Sequence, residues 1–338
     1  MGIAPCAQIC QITFMAFTWY GNQTTAEACS FGALAWIVPL IERMNVAGII
    51  DKHIPADPQA DFPHGTILSL LMAARLHDPV ALVNVGDRAG DSGADILWDM
   101  PPEKINDDRL GRSLDAFFPH RHSILAHLAL HVSQEFDVPL TNVHYDPTHI
   151  LFQGAYEESL PRDGVVDTEG IRSDHTLEPA HITKGRASTD VPKGAKMIHA
   201  GLCTHVDEWG PLPFFGHTVD GNQNGRTAVA EQLALLSKHV KPPKLTMYSD
   251  RGTFSAGHLA RLLAAGHDAV CAAPWGEFRP LFDEHRKSLT FKQASYLSIE
   301  QQRRRKQNSE LPQEHYELAV LRHKITDDAS RRVVPCRV

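Results

Sequence analysis

The first part of the chain carries apolar side chains at the three- and four-residue spacing that places them on one face of a helix. Residues 31–50 show this spacing at Leu34, Val38 and Ile41, and predict one amphipathic helix. Four further segments have the same character: residues 64–79, 78–90, 105–118 and 121–136. The pattern therefore predicts an all-helical N-terminal domain over residues 30–136.

The pattern changes at Val138, where short β-rich runs begin to alternate with helical segments. The predicted strands lie in residues 138–154, twice within 195–222, in 242–254 and in 269–275, and the predicted helices cover 226–240 and 255–268. Three strands followed by helix, strand, helix and strand is the order of an RNase H-like core, although parts of other α/β folds share it. We therefore expect an α/β catalytic core, a mixed sheet with flanking helices, over residues 137–275.

Composition agrees with a globular protein of this kind. The chain is 43% hydrophobic and 22% charged, as is ordinary for a globular protein. Its length of 338 residues is enough for two domains or for one large domain with an appendage. No run of about 18 apolar residues is present, so a membrane-spanning helix is not expected. Residues 1–29 lack the basic start of a signal peptide and are expected to be a poorly ordered leader.

The six cysteines are scattered and form no Cys-x-x-Cys pair, which favours a reducing compartment. Two of them, Cys203 and Cys271, lie inside apolar runs that read as strands. We expect both to be small residues of the core.

Charge is segregated along the chain. The net charge is −7, yet from Trp275 onward 13 lysines and arginines face 9 acidic residues. Residues 276–338 are therefore expected to form a separate basic region. It contains one basic run, Arg303, Arg304, Arg305 and Lys306. This run is either a solvated helix face or a patch that contacts DNA phosphates.

Two aspartates occupy comparable places in the predicted core. Asp146 ends the run TNVHYD and Asp250 ends the run KLTMYSD, where a turn follows. Ligands of α/β sheets commonly bind at the carboxyl ends of strands. Carboxylates at two such ends could share Mg²⁺ ions, although either aspartate could instead cap a turn.

Three stretches resemble the DDE transposases of bacterial insertion sequences, in insertion-sequence family four and its 1634-like branch. They are NVHYDPTHILFQG, KGRASTDVPKGAKMIHAGLCTHVDEWGPLPFFGHTVDGNQNG and KLTMYSDRGTFSAGHLARLLAAGHDAVCAAPW. The helical segments before them resemble the N-terminal domain of the same proteins. The resemblance covers about residues 30–275.

This resemblance implies an RNase H-like catalytic domain with two catalytic aspartates, here Asp146 and Asp250, and one glutamate. It implies two Mg²⁺ or Mn²⁺ ions held by these acids. It also implies DNA strand cleavage and strand transfer at the ends of a mobile element. The implied partners are double-stranded DNA, as terminal inverted repeats and as target, and a second copy in a homodimer. The implied location is the bacterial cytoplasm, at the nucleoid, with no membrane partner.

The third acid is missing from the family pattern. Neither Glu300 nor Glu317 has tyrosine, arginine and lysine in the order that the family shows around its glutamate. We expect the glutamate beyond Val338, so the resemblance makes residues 276–338 the basic start of an insertion region. It also implies a C-terminally truncated chain with an incomplete core.

Two alternatives remain open. A truncated chain could bind DNA without cutting it. A mononuclear metallohydrolase could instead use His144, Asp146 and His149. His144 and Asp146 share a strand face, but His149 points to the other face unless the strand bends at Pro147.

Overall fold

The structure is a computed structural model. It describes residues 13–20, 23–56, 58–161, 178–185, 192–207, 210–223, 225–240, 244–250, 255–272, 275–294, 299–308, 316–320, 322–327 and 332–337.

The N-terminal part is a hairpin followed by a bundle of short helices. Its elements are β1 (Thr13–Tyr20), β2 (Gln23–Ser30), α1 (Leu34–Arg43), α2 (Val46–His53), α3 (His64–His77), α4 (Val85–Ser92), α5 (Ala94–Leu97), α6 (Asp107–Phe117) and α7 (Arg121–Glu135). One core holds these helices together. The buried side chains at its centre include Leu34, Ile50, Ile67, Leu70, Leu110 and Ile124.

Thr13–Tyr20 and Gln23–Ser30, within the expected leader, pair as antiparallel strands, while residues 1–12, 21 and 22 lie outside the described residues. The single helix predicted over residues 31–50 is two helices, because the backbone of Asn45 turns left-handed (φ 52°) between α1 and α2. Asparagine tolerates this conformation better than most residues, and the apolar spacing does not report the break.

Asn106 caps the N-terminus of α6. Its side-chain Oδ1 accepts a hydrogen bond of 2.9 Å from the backbone N–H of Arg109. Because that N–H has no partner within the helix, we expect Asn106→Ala to lower the unfolding free energy by about 1 kcal/mol in urea titrations. Asn84 precedes α4 without a side-chain capping bond, so Asn84→Ala is the matched control and should cost much less. Equal losses in both variants would contradict the capping role.

The second part is built on one mixed sheet. Its elements are β3 (Asn142–Phe152), β4 (Thr183–Lys184), β5 (Lys196–Asp207), β6 (Gly210–Asp220), α8 (Gly225–His239), β7 (Thr246–Ser249), α9 (Ala256–Ala264) and β8 (Asp268–Cys271). The strand order is β4-β5-β3-β7-β8, and β6 also pairs with β5. β3, β7 and β8 run parallel to one another, whereas β5 is antiparallel to β3 and to β6.

The remaining described elements follow this sheet along the chain. They are α10 (Trp275–His285), β9 (Lys292–Ala294), α11 (Ile299–Gln307), β10 (Tyr316–Leu318), β11 (Arg322–Asp327) and β12 (Arg332–Arg337). β9 pairs with β10, and β11 pairs with β12, as two small antiparallel sheets.

Helices cover one face of the central sheet. Val143, Tyr145, Cys203 and Met247 of the sheet are buried together with apolar side chains of α7, α8 and α9. The opposite face exposes apolar side chains, including Ile150, Leu202 and Val270. A functional cleft therefore has room on only one side of the sheet.

Helix α7 joins the two parts. Ile124 is buried in the helical core, while Ala126 and Ala129 of the same helix are buried against the sheet. The two parts therefore pack against each other through α7.

Three buried polar side chains also connect α7 to the sheet and to α8. His122 Nε2 lies 3.2 Å from His217 Nδ1, and His217 Nε2 lies 3.4 Å from Glu231 Oε2. All three side chains are buried. Because polar groups removed from water need partners, these contacts hold α7, β6 and α8 in one arrangement.

A second histidine pair makes the helical part sensitive to pH. His53 Nε2 lies 3.2 Å from His127 Nδ1, between α2 and α7. Burial lowers the pKa of each histidine below 6.5; His127, His120 and Lys52 lower that of His53 further, and Lys52 and His131 that of His127. The folded state therefore binds fewer protons than the unfolded chain once the pH falls below 6.5.

Stability should accordingly be highest above the unfolded value of 6.5 and decline as the pH falls towards the lowered folded-state pKa values. Urea unfolding at about pH 7 and about pH 5.5 measures this decline. His53→Gln should make the decline shallower, because one titrating member of the pair is gone. A decline of unchanged size in His53→Gln would show that the pair is not its source.

Among the described residues, no single helix has the length and apolar character to cross a membrane. One pair, α3 and Leu82–Ser92, reaches that length and composition only when the two are joined across a 98° bend.

Candidate functional site

The parallel pairing of β3 with β7 brings the two predicted acids together. Its register joins Asn142 to Thr246 and His144 to Tyr248. The ladder ends there, and the same offset carried two residues further would place Asp146 opposite Asp250. Paired strands lie about 4.8 Å apart, and both aspartates follow this paired segment closely and line the same cleft.

The two acids differ in how their backbones are held. Asp146 lies within β3 and pairs with Leu202 of β5 on its other side. Asp250 follows the last residue of β7, at the carboxyl end where α/β sheets bind ligands. Both aspartates are exposed.

An open cleft of about 620 Å³ contains both aspartates. Its lining residues are His144, Tyr145, Asp146, Leu202, Thr204, Tyr248, Ser249, Asp250, Val270, Cys271 and Ala272. They come from β5, β3, β7 and β8 and the residues just after them, so four strands contribute to one site. The hydroxyl-bearing residues Thr204 and Ser249 bring further oxygen atoms to it.

A stacked ring pair lies next to the acids. The imidazole of His144 and the phenol ring of Tyr248 are 4.6 Å apart between centroids, with an interplanar angle of 8°. Burial lowers the pKa of His144, and the neighbouring His205 lowers it further. Both effects favour the neutral form of the His144 imidazole.

Tyr145 anchors the strand of Asp146 from the opposite face. Its side chain is 3% exposed and lies over β5 at Gly201. A Cβ atom at position 201 would approach Tyr145 Oη and would lie 2.6 Å from its Cζ. Glycine at 201 thus makes room for the ring that fixes β3 beside β5.

The donor chemistry of the cleft suits a hard divalent cation. Two carboxylates at adjacent strand positions repel each other, and a cation between them replaces repulsion with attraction. Mg²⁺ takes carboxylate oxygens, keeps several waters and leaves room for a phosphate, which an open cleft permits. Asp146 and Asp250 would be only a partial ligand set, since the described residues contain no group of three or more His, Cys, Asp or Glu side chains able to hold a metal.

Cys203 and Cys271 are not activated nucleophiles. Burial raises the pKa of the Cys203 thiol to about 12, although a hydrogen bond from Gln232 opposes the shift. Burial also raises the pKa of Cys271. Cys203 is a core residue as predicted, whereas Cys271 is half-buried and lines the cleft.

The structure does not assemble the alternative histidine site. His144 and Asp146 both line the cleft, but His149 does not. It pairs across strands with His199, and the two rings meet edge to face with centroids 4.6 Å apart. Side chains alternate between the two faces of a strand, so His149 and Asp146 point to opposite faces, as the sequence indicated.

The basic run lies away from the cleft, on α11. Arg303, Arg304 and Lys306 are exposed, and Arg305 is half-buried. Consecutive residues of a helix point about 100° apart, so the four side chains surround α11 rather than form one stripe. None of them lines the cleft.

No glutamate of the described residues lines the cleft. Glu317 lies on β10, where it pairs with Gln293 of β9. The third acid that the resemblance implies is therefore not supplied by the part of the chain that the structure describes.

No model of a known protein family matches the chain, and no curated protein matches it. Two solved structures are similar to it at a low level. The first, "Mos1 transposase paired-end complex with left transposon end", is 14% identical over 69% of this chain, with a TM-score of 0.19. The second, "Crystal structure of the Mos1 Strand Transfer Complex", is 13% identical over 75% of this chain and 72% of that chain, with a TM-score of 0.20. The chain spans 65% of the length of the first.

Proposed function

We propose that this chain is a DDE-type transposase that cuts DNA strands in a metal-dependent reaction and transfers them. The single observation that carries the proposal is that Asp146 and Asp250 line one open cleft, just beyond the paired residues of β3 and β7. The order and direction of the sheet strands support an RNase H-like core. The sequence resemblance independently selects the same two aspartates.

Asp146 and Asp250 would hold one or two Mg²⁺ or Mn²⁺ ions through their carboxylate oxygens. A bound ion of this kind activates water and stabilises charge on a phosphodiester. The protein's own contribution is positioning. The strands would hold both carboxylates in one open cleft against a DNA backbone, and no covalent enzyme intermediate is required.

The partners follow from this reaction. The substrate would be double-stranded DNA, first as the terminal inverted repeats of a bacterial insertion sequence and then as target DNA. Arg303, Arg304 and Lys306 on α11 would add contacts to phosphates. Pairing of two DNA ends would bring two copies of the chain together.

A cleavage assay tests the proposal. The chain is incubated with DNA that includes the sequences flanking its own reading frame, with Mg²⁺, Mn²⁺ or EDTA. We expect strand breaks with free 3′-hydroxyl ends at the element boundary, dependent on either ion and absent with EDTA. Absence of breaks with both ions would reject the cutting reaction.

A second candidate is a chain that binds the same DNA without cutting it. The absence of a glutamate from the cleft, in the described part of the chain, favours this candidate. Two carboxylates alone would then bind metal too weakly for cleavage. Gel-shift assays on the same DNA would detect binding by a chain that produces no breaks.

A further inference from the structure

The stacked rings of His144 and Tyr248 occupy a defined place relative to the two acids. They form the last residue pair of the β3–β7 ladder, which joins only residues 142–144 to 246–248. Asp146 and Asp250 come two residues later on their strands. The ring pair is therefore the last cross-strand contact of this ladder before the acids.

The geometry of the ring pair suits a spacer, by which we mean a contact that sets the distance between β3 and β7. The rings are nearly parallel, at 8°, and their centroids are 4.6 Å apart, close to the separation of neighbouring strands. Each ring belongs to a different strand, and both line the cleft that holds the acids. A stack with this geometry limits both the separation and the twist of β3 against β7.

We propose that His144 and Tyr248 are positioning residues that set the distance between the Asp146 and Asp250 carboxylates for a divalent ion. The inference rests on the proposed function, since it concerns the same metal site. It assigns the imidazole a role as a ring that packs on Tyr248. It does not make His144 a ligand.

Mn²⁺ binding to the purified chain tests this role without any cleavage reaction. The signal of free Mn²⁺ in electron paramagnetic resonance gives the dissociation constant for each variant. Residues that orient metal ligands typically contribute tenfold or more to affinity, so His144→Ala should weaken Mn²⁺ binding about tenfold. His144→Phe keeps a ring in the stack and should restore binding to within about threefold of the wild type.

The comparison of these variants separates a spacer from a ligand. If His144 were a ligand, His144→Phe would weaken binding as much as His144→Ala, and the inference would be overturned. Tyr248→Phe keeps the ring and should bind as the wild type does. The matched control is His149→Ala, which removes the other cross-strand ring pair of β3, with His199, and should leave binding unchanged.

The outcomes also distinguish this inference from the function on which it rests. Unchanged Mn²⁺ affinity in His144→Ala, together with lost affinity in Asp146→Asn, would overturn the spacer and leave the metal site intact. A wild-type chain that binds no Mn²⁺ would overturn the proposed metal site and the spacer with it. Circular dichroism on each variant excludes unfolding as the cause of a loss.

Discussion

Asp146→Asn and Asp250→Asn are each expected to lower the rate of metal-dependent DNA cleavage by about a thousandfold or more. Asparagine keeps the size of the side chain but removes the charge that holds a divalent ion. Charge stabilisation by such an ion is worth several kcal/mol, and each 1.36 kcal/mol is a tenfold change in rate. Single-turnover cleavage of a labelled duplex, with Mg²⁺ in excess, measures the effect.

The same two substitutions should not lower the stability of the fold. Removal of one of two neighbouring carboxylates relieves repulsion in the absence of metal, so the unfolding free energy should stay constant or rise slightly. The matched control is Asp268→Asn on β8, an exposed acid that pairs with Lys244 outside the cleft. Cleavage that survives in either Asp146→Asn or Asp250→Asn would remove that residue from the catalytic site.

Gly201→Ala is expected to lower the unfolding free energy by about 3 kcal/mol. The added methyl would lie 2.6 Å from two ring carbons of Tyr145, a buried aromatic side chain with little freedom to move. Overpacking of a core costs about 1–3 kcal/mol, and a rigid ring places this site at the upper end. Urea denaturation at neutral pH measures the loss.

A double-mutant cycle identifies the cause. In a Tyr145→Val background the ring is gone, so Gly201→Ala should cost much less than it does in the wild type. Gly111 in α6 is the control, since a Cβ there meets nothing within 4 Å and Gly111→Ala should stabilise the helix by about 0.5–1 kcal/mol. A Gly201→Ala variant as stable as the wild type would contradict the packing of Tyr145 over β5.

The sequence indicated the two aspartates as candidates, because each ends a short apolar run that reads as a strand. It could not show that they are neighbours. Their proximity depends on the β3–β7 register, which joins residues about a hundred positions apart and leaves no local pattern. For the same reason the sequence did not select Thr204 or Tyr248, which the register brings into the cleft.

In the helical part, apolar spacing predicted the helices but not where one of them breaks. Apolar spacing predicted where helices lie, and α3, α6 and α7 begin and end close to the predicted positions. The same spacing continues across Asn45, so it concealed a break that depends on one left-handed residue. Periodicity also gave no sign that α7 would pack against both the helical core and the sheet.

The central claim is that Asp146 and Asp250 hold a divalent ion together. Anomalous diffraction from crystals of the chain grown with Mn²⁺ tests it most directly. The account predicts a manganese peak between the two carboxylates, at about 2.0–2.2 Å from an oxygen of each, as is usual for small divalent ions with oxygen ligands. A peak at His144 and His149, or none at the two carboxylates while the crystal binds Mn²⁺ elsewhere, would contradict it.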